Sequence, residues 1–169
     1  MTRVPLVLTG APAVGKSVTA RALAERRARC ALVEVDDLRQ LVLSGAVAPW
    51  DGIDGLRQQR LGAANACALA RNFLSEDIEV VIADVLTPGT QAIYRHQLPS
   101  CRIVRLTVSW AEARRRAGTR QVWLTDDEFR LLHDADAAHP PQADHLIDVD
   151  RLDLAAQLEA VEEAWCAES

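Results

Sequence analysis

The sequence has only four cysteines, and none of them stands at metal-ligand spacing from another. Cys30, Cys67, Cys101 and Cys166 lie far apart in the 169-residue chain, which contains no C-x-x-C pair. Zinc sites use closely spaced cysteines, and small disulfide-stabilised domains use many of them. The pattern therefore indicates neither kind of site. It favours a reducing compartment, so we expect a cytoplasmic protein.

Long apolar runs are also lacking. Only the five residues Val4–Leu8 separate Arg3 from the polar residues that follow, which leaves no room for the apolar segment of a signal peptide. No other run approaches the roughly 20 apolar residues that cross a membrane. We therefore expect neither a leader peptide nor a membrane span.

An excess of basic residues is missing as well. Asp and Glu number 24 against 19 Lys and Arg, which gives a net charge of −5. Because nucleic-acid-binding proteins usually carry a net basic face, we expect small-molecule partners and no nucleic acid. Apolar residues make up 49% of the chain. No repeat, low-complexity tract or Gly/Ser/Pro-rich linker divides it, so a single domain over residues 1–169 is predicted.

Short runs rich in branched apolar residues alternate with amphipathic stretches. The five runs are VPLVL, ALVEV, VVIA, IVRLTV and LIDV. This alternation is typical of βαβ units, and nearly continuous apolar strands are typical of parallel sheets buried on both faces. We predict an α/β domain with a five-stranded parallel sheet and helices on both faces. Irregular segments at 45–55 and 135–144 are long enough to be functional loops.

The residues from Gly10 to Ser17 read G-x-x-x-x-G-K-S, which is the full Walker A pattern. Glycine lets successive backbone N–H groups point inward at phosphate oxygens, and the following helix adds the positive end of its dipole. Lys16 is expected to neutralise the β- and γ-phosphates, and the Ser17 hydroxyl is expected to bind Mg²⁺. The predicted nucleotide-binding residues are Gly10, Ala11, Pro12, Ala13, Val14, Gly15, Lys16, Ser17 and Val18.

Two predicted strands are followed by carboxylates, at the sheet edge where ligands of parallel sheets bind. Asp84, after four apolar residues, has the form of a Walker B acid that binds Mg²⁺ directly or through water, and a role as a helix cap is the alternative. Asp36 is predicted to accept the proton of a substrate hydroxyl. Asp37 is expected nearer the cap of a helix beginning near Leu38, and it is also a candidate for substrate binding.

The order of these motifs resembles that of the chloramphenicol phosphotransferase-like P-loop kinases. The features in common are the Walker A loop, VEVDDL after the second strand, VVIADVLTPG after the third strand and an arginine-rich helix after the fourth. The resemblance extends to the last strand and helix. It implies a three-layer P-loop kinase fold with a small helical lid, ATP and Mg²⁺ as cofactors, and Asp36 as the base that activates the acceptor hydroxyl.

The chain also departs from that family, whose third strand tends to end in consecutive acids where this chain has Ala83-Asp84. The departure bears on the metal role of Asp84. Shikimate kinases are similar in size and loop, but their glycine-rich turn after the third strand is not reproduced by Thr87-Pro88-Gly89.

An arginine-rich stretch follows the fourth strand, in a predicted lid of about residues 111–135. Arginines in a mobile lid stabilise the charge that spreads over a transferring phosphoryl group. Arg116 and Arg120 are the candidates, with Arg120 preferred. The alternative for each is a solvated basic face, which is the expectation for Arg114 and Arg115.

An acceptor pocket is expected between residues 45 and 60, on the side of Asp36. Trp50, Arg57 and Arg60 are its candidate lining residues, because an aromatic ring and fixed donors are common in small-molecule sites. A packing role is the alternative for Trp50. The four histidines show no metal-ligand spacing and are expected to be structural or on the surface.

The leading functional hypothesis is an ATP- and Mg²⁺-dependent kinase that phosphorylates a hydroxyl of a small molecule, such as an antibiotic or another secondary metabolite. One alternative is a kinase of a central metabolite or nucleotide, for which only Arg39, Arg57 and Arg60 offer basic residues near Asp36. Another is a regulatory ATPase whose output is a conformational change. ATP against GTP, the acceptor and the oligomeric state stay open.

Overall fold

The computed structural model describes residues 3–118 and 124–167. All five predicted strands are confirmed: β1 (Leu6–Thr9), β2 (Cys30–Glu34), β3 (Glu79–Ala83), β4 (Arg102–Thr107) and β5 (His145–Asp148). They form one sheet in the order β2-β3-β1-β4-β5, with every neighbouring pair parallel. The first strand therefore lies in the centre, and the chain leaves it at the edge where ligands of parallel sheets bind.

Seven helices connect and flank these strands within the described residues. They are α1 (Lys16–Glu25), α2 (Val35–Gln40), α3 (Gly52–Ser75), α4 (Pro88–Gln97), α5 (Trp110–Ala117), α6 (Asp126–Ala138) and α7 (Leu154–Cys166). Side-chain caps fix four of their starts, since Thr87, Ser109, Thr125 and Asp153 each accept from the backbone amide three residues on. Such caps satisfy N–H groups that the helix itself leaves without partners.

Alternation along β1 separates the two faces of the sheet. Leu6 and Leu8 pack with α1 and α7 in one core, whereas Val7 packs with α3 and α4 in a second core. All three side chains are fully buried. A strand buried on both faces needs no polar positions, which is why VPLVL carries none. The three-layer arrangement confirms the predicted fold class.

The helices α5 and α6 form a smaller third cluster beside the loop after β1. Ala113 and Phe129 pack there against Ala13. The predicted lid of about residues 111–135 includes most of these two helices, and its role as a lid stays a prediction. The described residues contain no helix that is both long and apolar enough to cross a membrane.

Two helix starts differ from the sequence-based expectation. The second helix begins at Val35 and not near Leu38, so Asp36 and Asp37 both lie in its first turn. The expectation that one of them caps it is wrong, since Glu34 is the N-cap residue and makes no side-chain cap bond. The third helix begins at Gly52. Residues 45–51 of the segment 45–55 therefore precede the helix, and residues 52–55 form the first turn of α3.

Candidate active site

The loop from Gly10 to Gly15 has a backbone that only small residues fit. Gly10 has φ 143° and Gly15 has φ 98°, and Ala13 adds a third positive φ of 65°. A Cβ on Gly10 would lie 2.2 Å from the carbonyl oxygen of Leu106 on β4. The loop therefore passes so close to the neighbouring strand that the first glycine of the motif is a steric requirement.

Lys16 is held over this loop. Its Nζ donates to the carbonyl oxygens of Gly10 at 2.8 Å and Ala11 at 3.1 Å. The first helix starts at the same residue, so its unpaired N–H groups and the ammonium lie together. This combination is a site for phosphate oxygens.

Ser17 contacts a carboxylate that the sequence interpretation did not single out. Its hydroxyl Oγ donates to Oε2 of Glu34 at 3.1 Å. Burial raises the pKa of Glu34 and the Ser17 hydrogen bond opposes that shift, while the charges of Asp37 and Asp36 raise the pKa further. Glu34 ends β2 within the quoted VEVDDL. The position of an acid at a strand end could have identified it, because the same argument selected Asp84.

The predicted base, Asp36, lies one residue past the start of α2. Its Oδ1 accepts from the Arg39 guanidinium one turn later on the same helix. Both side chains line a cavity that also contains Lys16 and Ser17. Asp37 is exposed and is not among the residues that line this cavity. The structure thus brings Asp36, and not Asp37, to the phosphate-binding loop.

Asp84 is almost completely buried, with 4% of its surface exposed. Its Oδ2 accepts from the Tyr94 hydroxyl at 2.9 Å, and its Oδ1 accepts from the amide of Val85 at 2.8 Å. Burial raises the pKa of Asp84 to about 7, against the opposing effect of the Tyr94 hydrogen bond. Val85, and not Asp84, lines the cavity. A metal role for Asp84 stays a prediction.

The cavity beside Asp36 has a volume of about 580 Å³, within the range of small-molecule sites. The phosphate-binding loop forms one side of it and α2 another. The remaining described lining residues are Ala46, Val47, Ala48, Pro49, Trp50, Gln58, Gln59, Val85, Leu124 and Leu132. The cavity lies where the acceptor pocket was predicted, and Trp50 is part of its wall; binding of an acceptor there stays a prediction.

The wall that contains Trp50 is attached to α3 through Gln58. The Gln58 side chain donates from Nε2 to the Gly45 carbonyl at 2.7 Å and accepts at Oε1 from the Val47 amide at 3.0 Å. A Cβ on Gly55 would lie 2.1 Å from the Ala48 carbonyl oxygen, so the loop also packs directly on the helix backbone. These contacts give the loop one defined position.

Arg57 and Arg60, the two other candidates for this pocket, do not line it. Arg57 pairs with Asp54 on the exposed side of α3 at 3.0 Å, and Arg60 is exposed. The neighbouring positions Gln58 and Gln59 face the cavity instead. The reason is helix periodicity: Gln58 and Gln59 together span about 100° of the helix surface, and Arg57 and Arg60 each lie about 100° further round on either side.

A second cavity of about 310 Å³ lies on the other side of the phosphate-binding loop. Its lining residues are Ala13, Gly15, Val18, Thr19, Arg115, Arg116, Leu152, Leu154 and Gln157. Ala13 lines both cavities. The loop thus separates two compartments, and Val18, predicted to bind nucleotide, belongs to the smaller one.

Arg116 holds the loop from the side of α5. Its guanidinium donates to the carbonyl oxygens of Val14 at 3.2 Å and Val149 at 2.7 Å, and to Glu112 at 2.7 Å. The hydrogen bonds from Arg115 and Arg116 lower the pKa of Glu112 to about 2. A direct catalytic role for Arg116 stays a prediction. Arg120 lies outside the described residues.

His133 adds a further contact to the loop. Its Nε2 lies 3.0 Å from the carbonyl oxygen of Pro12, and its ring packs edge-on to Trp110 and against Phe129. Burial lowers the pKa of His133, and its hydrogen bond to Pro12 opposes that shift. No local sequence pattern could have identified this residue, because the contact joins residues that are 121 positions apart in the chain.

A nucleotide with Mg²⁺ fits the residues that are present. The loop backbone that a Cβ would fill, the Lys16 ammonium and the Ser17 hydroxyl beside Glu34 are suitable for phosphates and a hard cation. Among residues 3–118 and 124–167, no group of three His, Cys, Asp or Glu side chains is arranged to hold a metal ion. Mg²⁺ in nucleotide sites typically uses one or two protein ligands plus phosphate oxygens and water.

Solved structures share this fold over almost the whole chain. A sugar kinase from a Janibacter species has a TM-score of 0.73 at 15% identity, covering 96% of this chain and 94% of that one. A gluconokinase from Sinorhizobium meliloti has a TM-score of 0.70 at 17% identity, covering 97% and 92%. A shikimate kinase from Bacteroides thetaiotaomicron has a TM-score of 0.68 at 18% identity, covering 95% and 97%. The fold is therefore that of P-loop kinases.

Sequence comparisons give one family. No curated protein matches the chain significantly. A sequence profile described as "AAA domain" matches residues 6–135, which include the phosphate-binding loop, Glu34, Asp36 and Asp84. Since that match spans most of the chain, the protein belongs to the AAA domain family.

Proposed function

We propose that the protein is an ATP- and Mg²⁺-dependent kinase that phosphorylates a hydroxyl group of a small molecule. The observation that supports this most directly is the shared cavity, in which Asp36 lies with Lys16 and Ser17. A regulatory ATPase has no need of a preformed cavity of about 580 Å³ beside its phosphate-binding loop. The fold likeness to a sugar kinase, a gluconokinase and a shikimate kinase supports the same reaction class.

The nucleotide would bind across the loop, with its base and ribose in the smaller cavity beside Val18 and Leu152. Backbone N–H groups of the loop and the Lys16 ammonium would bind the phosphates. Arg116 fixes the loop against the segment after β5 through its bonds to Val14 and Val149. We infer that Arg116 positions the nucleotide side of the site, because its donors are directed at backbone oxygens.

Ser17 and Glu34 would hold the metal ion. When bound, Mg²⁺ neutralises negative charge on the phosphate oxygens. The Ser17 hydroxyl and the Glu34 carboxylate lie 3.1 Å apart, close enough to act on one ion or on its bound water. Asp84 accepts two hydrogen bonds in a buried site. Its contribution would be to hold the end of β3 in place, or to reach the metal after losing a hydrogen-bond partner.

Asp36 would act as the base. The acceptor hydroxyl oxygen forms a bond to the γ-phosphorus while the bond from that phosphorus to the β–γ bridging oxygen breaks. The hydroxyl proton passes to Asp36, and ADP leaves. Arg39 holds the Asp36 carboxylate on the cavity side of α2. In this proposal, α2 supplies the group for proton transfer, and the loop and α1 supply the groups for phosphate binding.

Two kinds of acceptor remain candidates. The sequence resemblance to chloramphenicol phosphotransferase-like kinases supports an antibiotic or another secondary metabolite, and a role in resistance or self-protection. The names of the structures with this fold support a central metabolite instead. Both kinds of acceptor carry the hydroxyl that the proposed chemistry requires.

The test is release of ADP from Mg-ATP with a panel of hydroxylated antibiotics, sugars and sugar acids. Asp36→Asn is measured beside Asp127→Asn, which changes an exposed aspartate of α6 outside the cavity. Turnover with one compound class that is lost in Asp36→Asn and kept in Asp127→Asn supports the kinase. Acceptor-independent hydrolysis that is equal in all three proteins contradicts it and favours the regulatory ATPase.

A further inference from the structure

We propose that the acceptor is an uncharged hydroxyl compound with an apolar face, and that the cavity beside Asp36 discriminates against carboxylate- and phosphate-bearing acceptors. This inference rests on the proposed kinase function and names the substrate class of the same site. It is carried by the charges and the apolar wall of the cavity.

The cationic charge of the acceptor side is already balanced. Beyond the phosphate-binding loop, Arg39 is the only cation among the described residues that line the cavity. Its guanidinium is paired with the Asp36 carboxylate. An acceptor carboxylate bound by Arg39 would share that guanidinium with Asp36 and would lie beside its negative charge. Counted over the described residues, the acceptor side of the cavity therefore presents no net positive charge to an anion.

The remaining cation of the cavity serves the nucleotide side. Lys16 lies over the phosphate-binding loop, with its ammonium on the Gly10 and Ala11 carbonyl oxygens. A bound nucleoside triphosphate would add several negative charges at this edge. Since like charges in a partly desolvated cavity repel strongly, a second anion next to Asp36 and the γ-phosphate would be disfavoured.

The opposite wall is apolar and accessible. Val47, Pro49 and Trp50 line it from the loop, and Leu132 lines it from α6. All four side chains are only partly buried, so the fold leaves apolar surface available to a ligand. Covering such surface stabilises a complex by about 25 cal/mol per Å². A ring or hydrocarbon face of the acceptor would supply the matching surface.

The other polar side chains that line this side, within the part of the chain that the structure describes, are uncharged. Gln40 and Gln59 line the cavity, and each amide can donate to and accept from hydroxyl or amide groups of a ligand. The wall itself is held by Gln58 through Gly45 and Val47. A preformed wall lowers the entropy cost of binding a rigid compound. Neutral hydroxyl and amide groups on an apolar scaffold fit this set of donors and acceptors.

Acid and ester pairs test the proposal, because both members carry the same hydroxyl and differ in charge. We would measure ADP release with shikimic acid and methyl shikimate, and with 3-phenyllactic acid and its methyl ester. The expected result is a kcat/KM at least about tenfold higher for each ester than for its acid. The phenyl pair should be used better than the shikimate pair, because its ring can cover the apolar wall.

A variant that adds a positive charge to the cavity, with a matched control outside the cavity, tests whether charge causes the ester preference. Ala46→Arg places a cation on the exposed lip of the lining loop, and Ser44→Arg places one on an exposed residue that does not line the cavity. The ester preference should fall by about tenfold in Ala46→Arg and should persist in Ser44→Arg. An unchanged preference in Ala46→Arg would argue against charge as its cause and would overturn the proposal.

The outcomes separate this proposal from the proposed function. Asp36-dependent turnover of the acids that equals or exceeds turnover of the esters leaves the kinase intact and overturns the uncharged acceptor. If no pair is turned over, binding of the acids and of the esters is compared by calorimetric titration into the Mg-ADP complex. Tighter binding of the esters supports the inference, whereas equal binding, tighter binding of the acids or no binding at all overturns it.

Discussion

The two sides of the phosphate-binding loop are built in different ways. The phosphate-binding part is one contiguous motif, in which a Cβ on Gly10 would lie 2.2 Å from the carbonyl oxygen of Leu106 on β4. The acceptor side is assembled from α2, the loop before α3, α3 itself and α6. A contiguous motif carries its geometry with it, whereas an assembled wall depends on contacts such as those of Gln58. The geometry of the loop is thus determined locally, whereas that of the acceptor side depends on tertiary contacts.

Among the substitutions that test this difference between the two sides, the largest effect on kcat is expected at the first turn of α2. Asp36→Asn should lower kcat by about 10³-fold, because the acceptor hydroxyl loses its base. Asp37→Asn should lower it less than tenfold, because that side chain does not line the cavity. Steady-state kinetics and Mg-ADP titration would check both variants. Equal losses in the two variants would show that the carboxylates act together.

A smaller effect is expected on the nucleotide side, at Glu34. Glu34→Gln keeps the shape of the side chain and removes its charge beside Ser17, so affinity for Mg-ADP should fall by about 10–100-fold. Affinity for ADP without Mg²⁺ should be unchanged. Titration calorimetry with Glu163→Gln, an exposed change on α7, provides the control.

The same residue makes a pH prediction. The pKa of Glu34 is raised by burial and by the charges of Asp37 and Asp36. Its carboxylate is therefore protonated at a higher pH than usual. Affinity for Mg-ADP should therefore rise with pH through the mildly acidic range in the wild type. The affinity of Glu34→Gln for Mg-ADP should depend less on pH. A wild-type profile as flat as that of the variant would remove Glu34 from the metal site.

Asp84 also bears on the comparison of the two sides, because it directly precedes Val85, which lines the acceptor side. Its pKa of about 7 in the folded state lies above the ordinary value near 4, so the native carboxyl keeps a proton that the unfolded chain loses. The free energy of unfolding should fall as pH rises from about 4 to about 7. From pH 5 to pH 8 the loss should be on the order of 2 kcal/mol relative to Asp84→Asn.

Urea unfolding at the two pH values measures this difference. Tyr94→Phe removes the hydroxyl that donates to Asp84 and should steepen the pH dependence of the wild type. If wild type and Asp84→Asn depend on pH equally, Asp84 is ionised in the folded protein. That result would favour the Walker B role over a purely structural one.

The smallest effect is expected at Gln58. Gln58→Leu removes both hydrogen bonds to the lining loop, so KM for the acceptor should rise by about tenfold while KM for ATP stays the same. Gln58→Glu keeps the acceptor for the Val47 amide and should be intermediate. A change in both KM values would indicate that the loop supports the whole site and not the acceptor side alone.

Much of the frame could be predicted from local patterns. The five strands appear as branched apolar runs because parallel strands are buried on both faces. The position of Asp36 followed from the rule that ligands bind at strand ends. The start of α2 could not be predicted, because Glu34 caps the helix through its backbone and without a side-chain bond. The sequence therefore offered Asp37 as a cap that the fold does not use.

The prediction that Arg57 and Arg60 line the cavity was wrong, and the reason again lies in local helix geometry. Arg57 and Arg60 are close in sequence to the lining residues, yet helix rotation turns Gln58 and Gln59 to the cavity. His133 and Arg116 reach the phosphate-binding loop from α6 and α5. No spacing within one element could show contacts across more than 100 positions of the chain.

The sequence by itself determined the phosphate-binding loop and the sheet, because glycine placement and apolar runs act over a few neighbouring residues. The tertiary structure alone decided which carboxylate faces the loop and which is buried against Tyr94. The Asp36–Arg39 pair is local to α2, but only the tertiary structure placed it in a cavity with an apolar wall. Burial and the composition of a cavity depend on groups brought together from separate elements, which is why local sequence patterns do not reveal them.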